Sequence, residues 1–147
     1  MTLFFSNSNI APEQEYQKRL DAMKKLARIT GLELMEDPYR HDLWRQTVAG
    51  LETEPERGKR CPVCFRFSLS RAAECAARLG IRHFTTSLTV SPLKNSRVIF
   101  DVGRRFAGFE EMDFKKRNGY FRCGELAKEY GLYRQNYCGC EFSIRPA

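Results

Sequence analysis

Apolar positions along this chain follow two rhythms, one of about 3.6 residues and one of two, and the switches between them divide it into elements. Residues 2–5 form a short apolar run closed by Ser6, Asn7, Ser8 and Asn9, which reads as a strand and a turn. Tyr16, Leu20, Met23 and Ala27 then recur at i, i+4, i+7 and i+11. Pro12 suits a first helical turn and Gly31 suits a stop, so a helix is predicted between them. Residues 32–35 read as a second strand. Residues 39–51 carry the helical stripe Leu43, Trp44, Thr47, Val48 and Leu51, with Trp44 read as core, and residues 54–58 form a loop.

The second half repeats the alternation. Phe65, Leu69, Ala72, Ala76 and Leu79 make a helical face ended by Gly80. Phe84, Thr86, Leu88 and Val90 alternate with Thr85, Ser87 and Thr89, a period-two strand that Ser91 and Pro92 terminate. Val98, Ile99, Val102 and Phe106 belong to the next helix, residues 109–114 to a further strand and residues 120–130 to the last helix. Strands that alternate with helices predict an α/β fold, a parallel sheet with helices on its faces. In such sheets ligands gather beyond the carboxyl ends of the strands, which points to the loops at 6–9 and 91–95.

At 147 residues the chain predicts one domain, residues 1–147. Its formal charge of +7 is what a polyanion-binding surface needs. Basic residues gather at Arg57, Lys59 and Arg60, between Lys94 and Arg105, and at Lys115, Lys116 and Arg117. No stretch approaches the roughly 18 apolar residues of a membrane span, and the start lacks the pattern of a signal peptide. A reducing, cytoplasmic setting and no membrane partner are expected.

The sharpest chemistry lies in the cysteines. Cys61 and Cys64 stand three positions apart at the start of a helix, and Cys138 and Cys140 two apart near the end of the chain. Such pairs let two sulfurs reach one group from a single turn, and two pairs supply the four thiolates of a zinc or iron–sulfur site. A helix N-terminus also favours thiolate. Structural disulfides or buried fillers are the competing reading. Cys75 and Cys123 lie on helical apolar faces and read as small buried hydrophobes. His41 and His83 have no partner spacing that makes a metal or catalytic pair. Asp113 is the one carboxylate singled out for catalysis, since it closes a predicted strand beside the basic triplet; a cap or turn is its alternative role.

Several spaced segments resemble the QueH family. They are Asn9 to Pro12 ahead of Glu15, Tyr16, Arg19 and Leu20; Gly50, Leu51, Glu52, Glu54, Pro55 and Glu56; and Arg60 with Cys61, Cys64 and Phe65. The resemblance continues through Phe84, Thr85 and Thr86, Val90 to Pro92 with Lys94 and Asn95, and Asp113 to Lys116. Leu132, Tyr133, Arg134 and Gln135 before Tyr137, Cys138, Gly139 and Cys140 close it, so it runs from about Thr2 to Ser143.

The resemblance implies a Rossmann-like tRNA-modifying oxidoreductase that converts epoxyqueuosine to queuosine in the anticodon loop. It implies a 4Fe-4S cluster with an additional iron ion, and it maps metal binding onto Cys61, Cys64, Cys138 and Cys140. The partners would be tRNA carrying epoxyqueuosine and an unidentified electron donor. Lys115, Lys116 and Arg117 are candidates for tRNA phosphates, and Tyr133, Arg134 and Gln135 for an unpaired base. Chains of this family begin with a further strand and helix bearing paired cysteines. The present sequence starts at what resembles the second strand, so N-terminal truncation, with part of the metal shell and a strand absent, is expected. A zinc-stabilised nucleic-acid-binding domain and an inactive fragment are the alternative functions.

Overall fold

The computed structural model describes residues 1–144. Strand β1, Thr2–Phe5, pairs in parallel with β2, Glu33–Glu36, Leu3 facing Leu34 and Phe4 facing Met35. The crossover between them is α1, Glu13–Thr30, which ends at Gly31 in the left-handed conformation (φ 68°) with its N–H on the carbonyl of Ala27. That backbone geometry favours glycine. Helix α2 spans His41–Thr47, α3 Arg60–Arg78, α4 Ser96–Gly103 and α5 Gly119–Glu129. The α/β class and the parallel pairing are as expected. Among the described residues the named sheet has two strands, β1 and β2.

The predicted strands at 84–90 and 109–114 shrink to a single parallel bridge between Phe84 and Phe109. Hydroxyl chemistry explains the loss. The Thr86 side chain accepts from the N–H of Leu88 and caps a 3-10 turn, Ser87–Val90. The fully buried Thr89 donates through Oγ1 to the Met112 carbonyl at 2.8 Å and accepts from the Phe114 N–H at 3.1 Å. Side-chain bonds thus replace the ladder bonds that a strand would make. Asp113 consequently closes no strand. It occupies a turn, its Oδ1 accepting from the Lys115 N–H at 3.2 Å, the alternative role read from the sequence.

Helix α3 joins two parts of the core. Phe65 and Leu69 pack with Ile99 and Val102 of α4, while Val63, Cys64 and Phe67 pack against Trp44, Val48 and Cys140. A third cluster, Phe5, Ile10, Tyr16 and Leu20, fastens α1 to the sheet. Trp44 is core, as expected, with no exposed surface. Helix α5 carries no buried residue, so its stripe does not bury Cys123, which is exposed and corrects the expectation of a small buried hydrophobe. Cys75 is buried, as expected. The predicted α3 face is also cut short, because Leu79, just past the last helical residue, is 43% exposed.

Candidate metal and substrate site

Cys61 and Cys64 occupy the first turn of α3. The turn ahead of them bends through Arg57, which holds a positive φ of 72° and aims its backbone N–H at Cys61 Sγ, 3.2 Å away. The indole N–H of Trp44 donates to Cys64 Sγ at 3.3 Å. Burial pushes the Cys64 thiol up to about 11, opposed by that indole N–H and by the charge of Lys94.

Cys138 and Cys140 are held by α1 and the loop after β1. Arg19 donates from Nη1 to the Cys138 carbonyl and from Nη2 to the Tyr137 carbonyl, both at 3.0 Å. The buried Glu15 carboxylate accepts from Arg19 Nε at 2.8 Å and from the Tyr133 hydroxyl at 2.9 Å. Tyr137 Oη donates to the Ala11 carbonyl at 2.6 Å, and the Ala11 N–H to the Gly139 carbonyl at 2.9 Å. Gly139 has φ 111°, and a Cβ there would lie 2.8 Å from Ile10 Cγ1 and 3.0 Å from Arg19 Nη1, so the residue between the cysteines must be glycine. Within the pair, a hydrogen bond from Cys140 draws Cys138 below the ordinary thiol range and, in return, raises Cys140.

The two pairs share one locality. Cys61 and Cys138 both line a cavity of about 170 Å³, together with Arg57, Phe65, Lys94 and Asn95. Leu93, Lys94 and Asn95 of the loop at 91–95 line this cavity, and Ala11, beyond the loop at 6–9, holds the second pair through Gly139. Among the described residues, no three of His, Cys, Asp and Glu are gathered closely enough to hold a metal ion. Of the four paired thiols, Cys61 and Cys138 line the cavity, while Cys64 and Cys140 pack with Trp44 and Val48 in the core.

The basic residues separate into buried and exposed sets. Arg60, expected in a surface run, is 1% exposed and donates from Nη1 to the carbonyls of Leu51, Glu52 and Glu54, which secures the loop leading to Cys61. Lys115 turns inward as well. Its Nζ donates to the Thr89 carbonyl at 2.8 Å, the Lys94 carbonyl at 3.0 Å and Ser96 Oγ at 2.6 Å. Three donors meet three acceptors, so within the basic triplet Lys116 and Arg117 are the exposed members. Although burial opposes ionisation, the Lys115 N–H, Ser96 and the nearby lysine charges hold Asp113 below the usual carboxylate range. Tyr133, Arg134 and Gln135 are exposed on the segment before the second cysteine pair.

Sequence reasoning named Arg19, Arg60, Lys94 and Lys115 but missed their roles as supports. Only Arg19 left a trace, its i,i+4 spacing from Glu15. His41 has the structural role left to it, with Nδ1 2.8 Å from the Ser8 carbonyl and Nε2 2.9 Å from Glu141. His83 pairs with Glu110 on the surface.

Comparison with known proteins then supplies a family. The model described as "Epoxyqueuosine reductase QueH" matches residues 1–146. Proteins named epoxyqueuosine reductase QueH include one from Streptococcus pyogenes serotype M1, 40% identical, the match covering 99% of this chain and 61% of that protein. One from Acinetobacter baylyi is 35% identical, covering 98% and 69%, and one from Thermotoga maritima is 37% identical, covering 96% and 78%. The chain therefore spans between about three fifths and four fifths of the length of these relatives.

Proposed function

The chain belongs to the epoxyqueuosine reductase QueH family, and we propose that it is a tRNA-modifying reductase converting epoxyqueuosine to queuosine in the anticodon loop. The observation that carries this reading is the shared cavity, to which each cysteine pair contributes a wall residue, Cys61 from one and Cys138 from the other. Parallel β1 and β2 flanking a crossover helix support a Rossmann-like arrangement.

The donor set suits iron held by sulfur. Four of the six free thiols form the two pairs, and although among the described residues no three are gathered around a single ion, Cys61 and Cys64 each receive an N–H of the kind that tunes sulfur ligands. Cys61, Cys64, Cys138 and Cys140 would hold a 4Fe-4S cluster, with an additional iron ion beside it. When bound, such a group supplies the electrons that no side chain can give; an electron donor outside this chain would replenish them. Arg19, Glu15 and Gly139 keep the second cysteine pair in place. Lys116 and Arg117 suit phosphate contacts, while Tyr133, Arg134 and Gln135 suit an unpaired base. Asp113 acts through Lys115, its Oδ1 3.7 Å from Nζ, in a positioning role. No helix of the described residues is long and apolar enough to cross a membrane. Free cysteines support a reducing cytoplasm.

The test is anaerobic reconstitution with iron and sulfide, followed by metal analysis and by mass analysis of nucleosides from epoxyqueuosine-containing tRNA. Iron, acid-labile sulfide and queuosine formation together are the result that supports the reductase reading. Serine at Cys61, Cys64, Cys138 or Cys140 should lose the iron, whereas Cys75→Ser and Cys123→Ser should retain it. Colourless protein with stoichiometric zinc would overturn this reading in favour of a zinc-stabilised nucleic-acid-binding domain. Iron with no conversion would favour an inactive fragment.

A further inference from the structure

Lys94 lies on the wall of the cysteine cavity, in the loop that leads into α4. Its Nζ stands 5.3 Å from the centre of the Phe65 ring, itself a lining residue. Lys94 is placed there by neighbours that are unambiguous in their bonding. Its carbonyl accepts from Lys115 Nζ at 3.0 Å, its own N–H donates to the Ser91 carbonyl at 3.2 Å, and the Asn95 side chain caps α4 by accepting from the Arg97 N–H at 3.0 Å. Lys115 also grips Thr89 and Ser96 on either side, so one inward-turned ammonium fastens both ends of the loop that presents the other.

We infer that Lys94 is a ligand-binding cation of this cavity, donating a hydrogen bond to an electronegative oxygen of the substrate beside the two cysteine pairs, and that Lys115 is the residue that positions it. This rests on the proposed function for the identity of the substrate. The cavity is about 170 Å³, below the roughly 300–1,000 Å³ of pockets that enclose drug-sized ligands. With a cluster on the thiols, only one end of a larger molecule reaches the Lys94 and Phe65 side of it, as a small oxygen-bearing ring projecting from a nucleoside would. Phe65 offers the apolar face against which such a ring would lie, and the Phe65–Lys94 contact keeps the ammonium over that face.

The experiment compares alkylation of Cys61 and Cys138 in the full chain by iodoacetate, an anion, and by iodoacetamide, its neutral analogue, with peptide mass analysis to locate the product. The ratio of the two rates cancels each thiol's own reactivity and reads the pull of the cavity on a negatively charged oxygen. Lys94→Gln should lower that ratio about fivefold, about what one charge at contact distance contributes in a water-like dielectric. Lys94→Arg should preserve it, and Lys115→Gln should lower it without removing any cavity charge. An unchanged ratio in Lys94→Gln overturns the inference, as does an equal fall in Lys94→Arg. Because neither metal nor tRNA enters this measurement, its failure is distinct from failure of the reductase reading. In reconstituted protein, Lys94→Gln should raise KM for epoxyqueuosine-containing tRNA while iron content stays at the wild-type level.

Discussion

Trp44 donates its indole N–H to Cys64 Sγ at 3.3 Å from a ring that solvent does not reach. The same ring stacks between His41, 5.3 Å away, and Phe142, 6.1 Å away. One side chain thus joins α2, the first turn of α3 and the segment after the second cysteine pair.

Trp44→Phe keeps an aromatic body and removes the donor. The expected loss in urea unfolding is about 1–3 kcal/mol, from the smaller ring and the lost bond together, against about 3–5 kcal/mol for Trp44→Ala. A Phe variant as stable as the wild type would show that neither the bond nor the ring volume supports this core.

Asp37 is 8% exposed and accepts from Ser6 Oγ at 2.7 Å and from Arg71 at two nitrogens, Nε at 3.0 Å and Nη2 at 2.5 Å. It therefore ties the ends of β1 and β2 to α3. Asp37→Asn should cost about 2–3 kcal/mol, between the values for exposed and for buried ion pairs, because the Arg71 side chain is 37% exposed. In a double-mutant cycle, adding Arg71→Met should cost little more than the single change. Fully additive losses would mean that the two side chains do not act as a pair.

Alkali should loosen the sheet end of the molecule. Burial first, and then the charges of Glu36 and Asp37, hold the Tyr16 phenol above its ordinary value of 10.0; burial and then Glu13 do the same for Tyr39. A group whose folded pKa is raised contributes stability that is present below the unfolded pKa and lost as pH rises through the folded one. The denaturation midpoint should accordingly decline above about pH 10, where unfolded phenols ionise. Tyr16→Phe, which keeps the ring packed on Phe5 and Tyr39, should show a shallower decline. An identical pH profile in the variant would exclude Tyr16 as a source of the effect.

Thiol chemistry separates the two remaining cysteines. Exposed Cys123 should react promptly with a disulfide reagent, and buried Cys75 only as the chain opens. Cys123→Ser should lose a fast phase that Cys75→Ser retains. Loss of the fast phase in the Cys75 variant would contradict the burial of α3 at that turn.

Local information was enough for the helices, because their stripes and stops act over a few residues of one segment. Tyr16, Leu20 and Ala27 with the Gly31 stop delimit α1, and Phe65 and Leu69 mark the buried face of α3. The paired cysteines were legible for the same reason, since ligand spacing within a turn is a local property. Residues 84–90 alternate as a strand should, yet pairing needs a partner from elsewhere. Thr89 bonds to Met112 and Phe114 through its hydroxyl, and the ladder reduces to one bridge. Cys123 misled in the complementary way, its helical stripe being real while its helix buries nothing. Tertiary structure alone decided which cations face inward. Lys115 and Arg60 read as surface charge in sequence, but backbone carbonyls outside their own turns capture both, and that capture positions Lys94 and the loop before Cys61 beside the thiols. Burial depends on what the rest of the chain places nearby, and no periodicity within a segment carries that information.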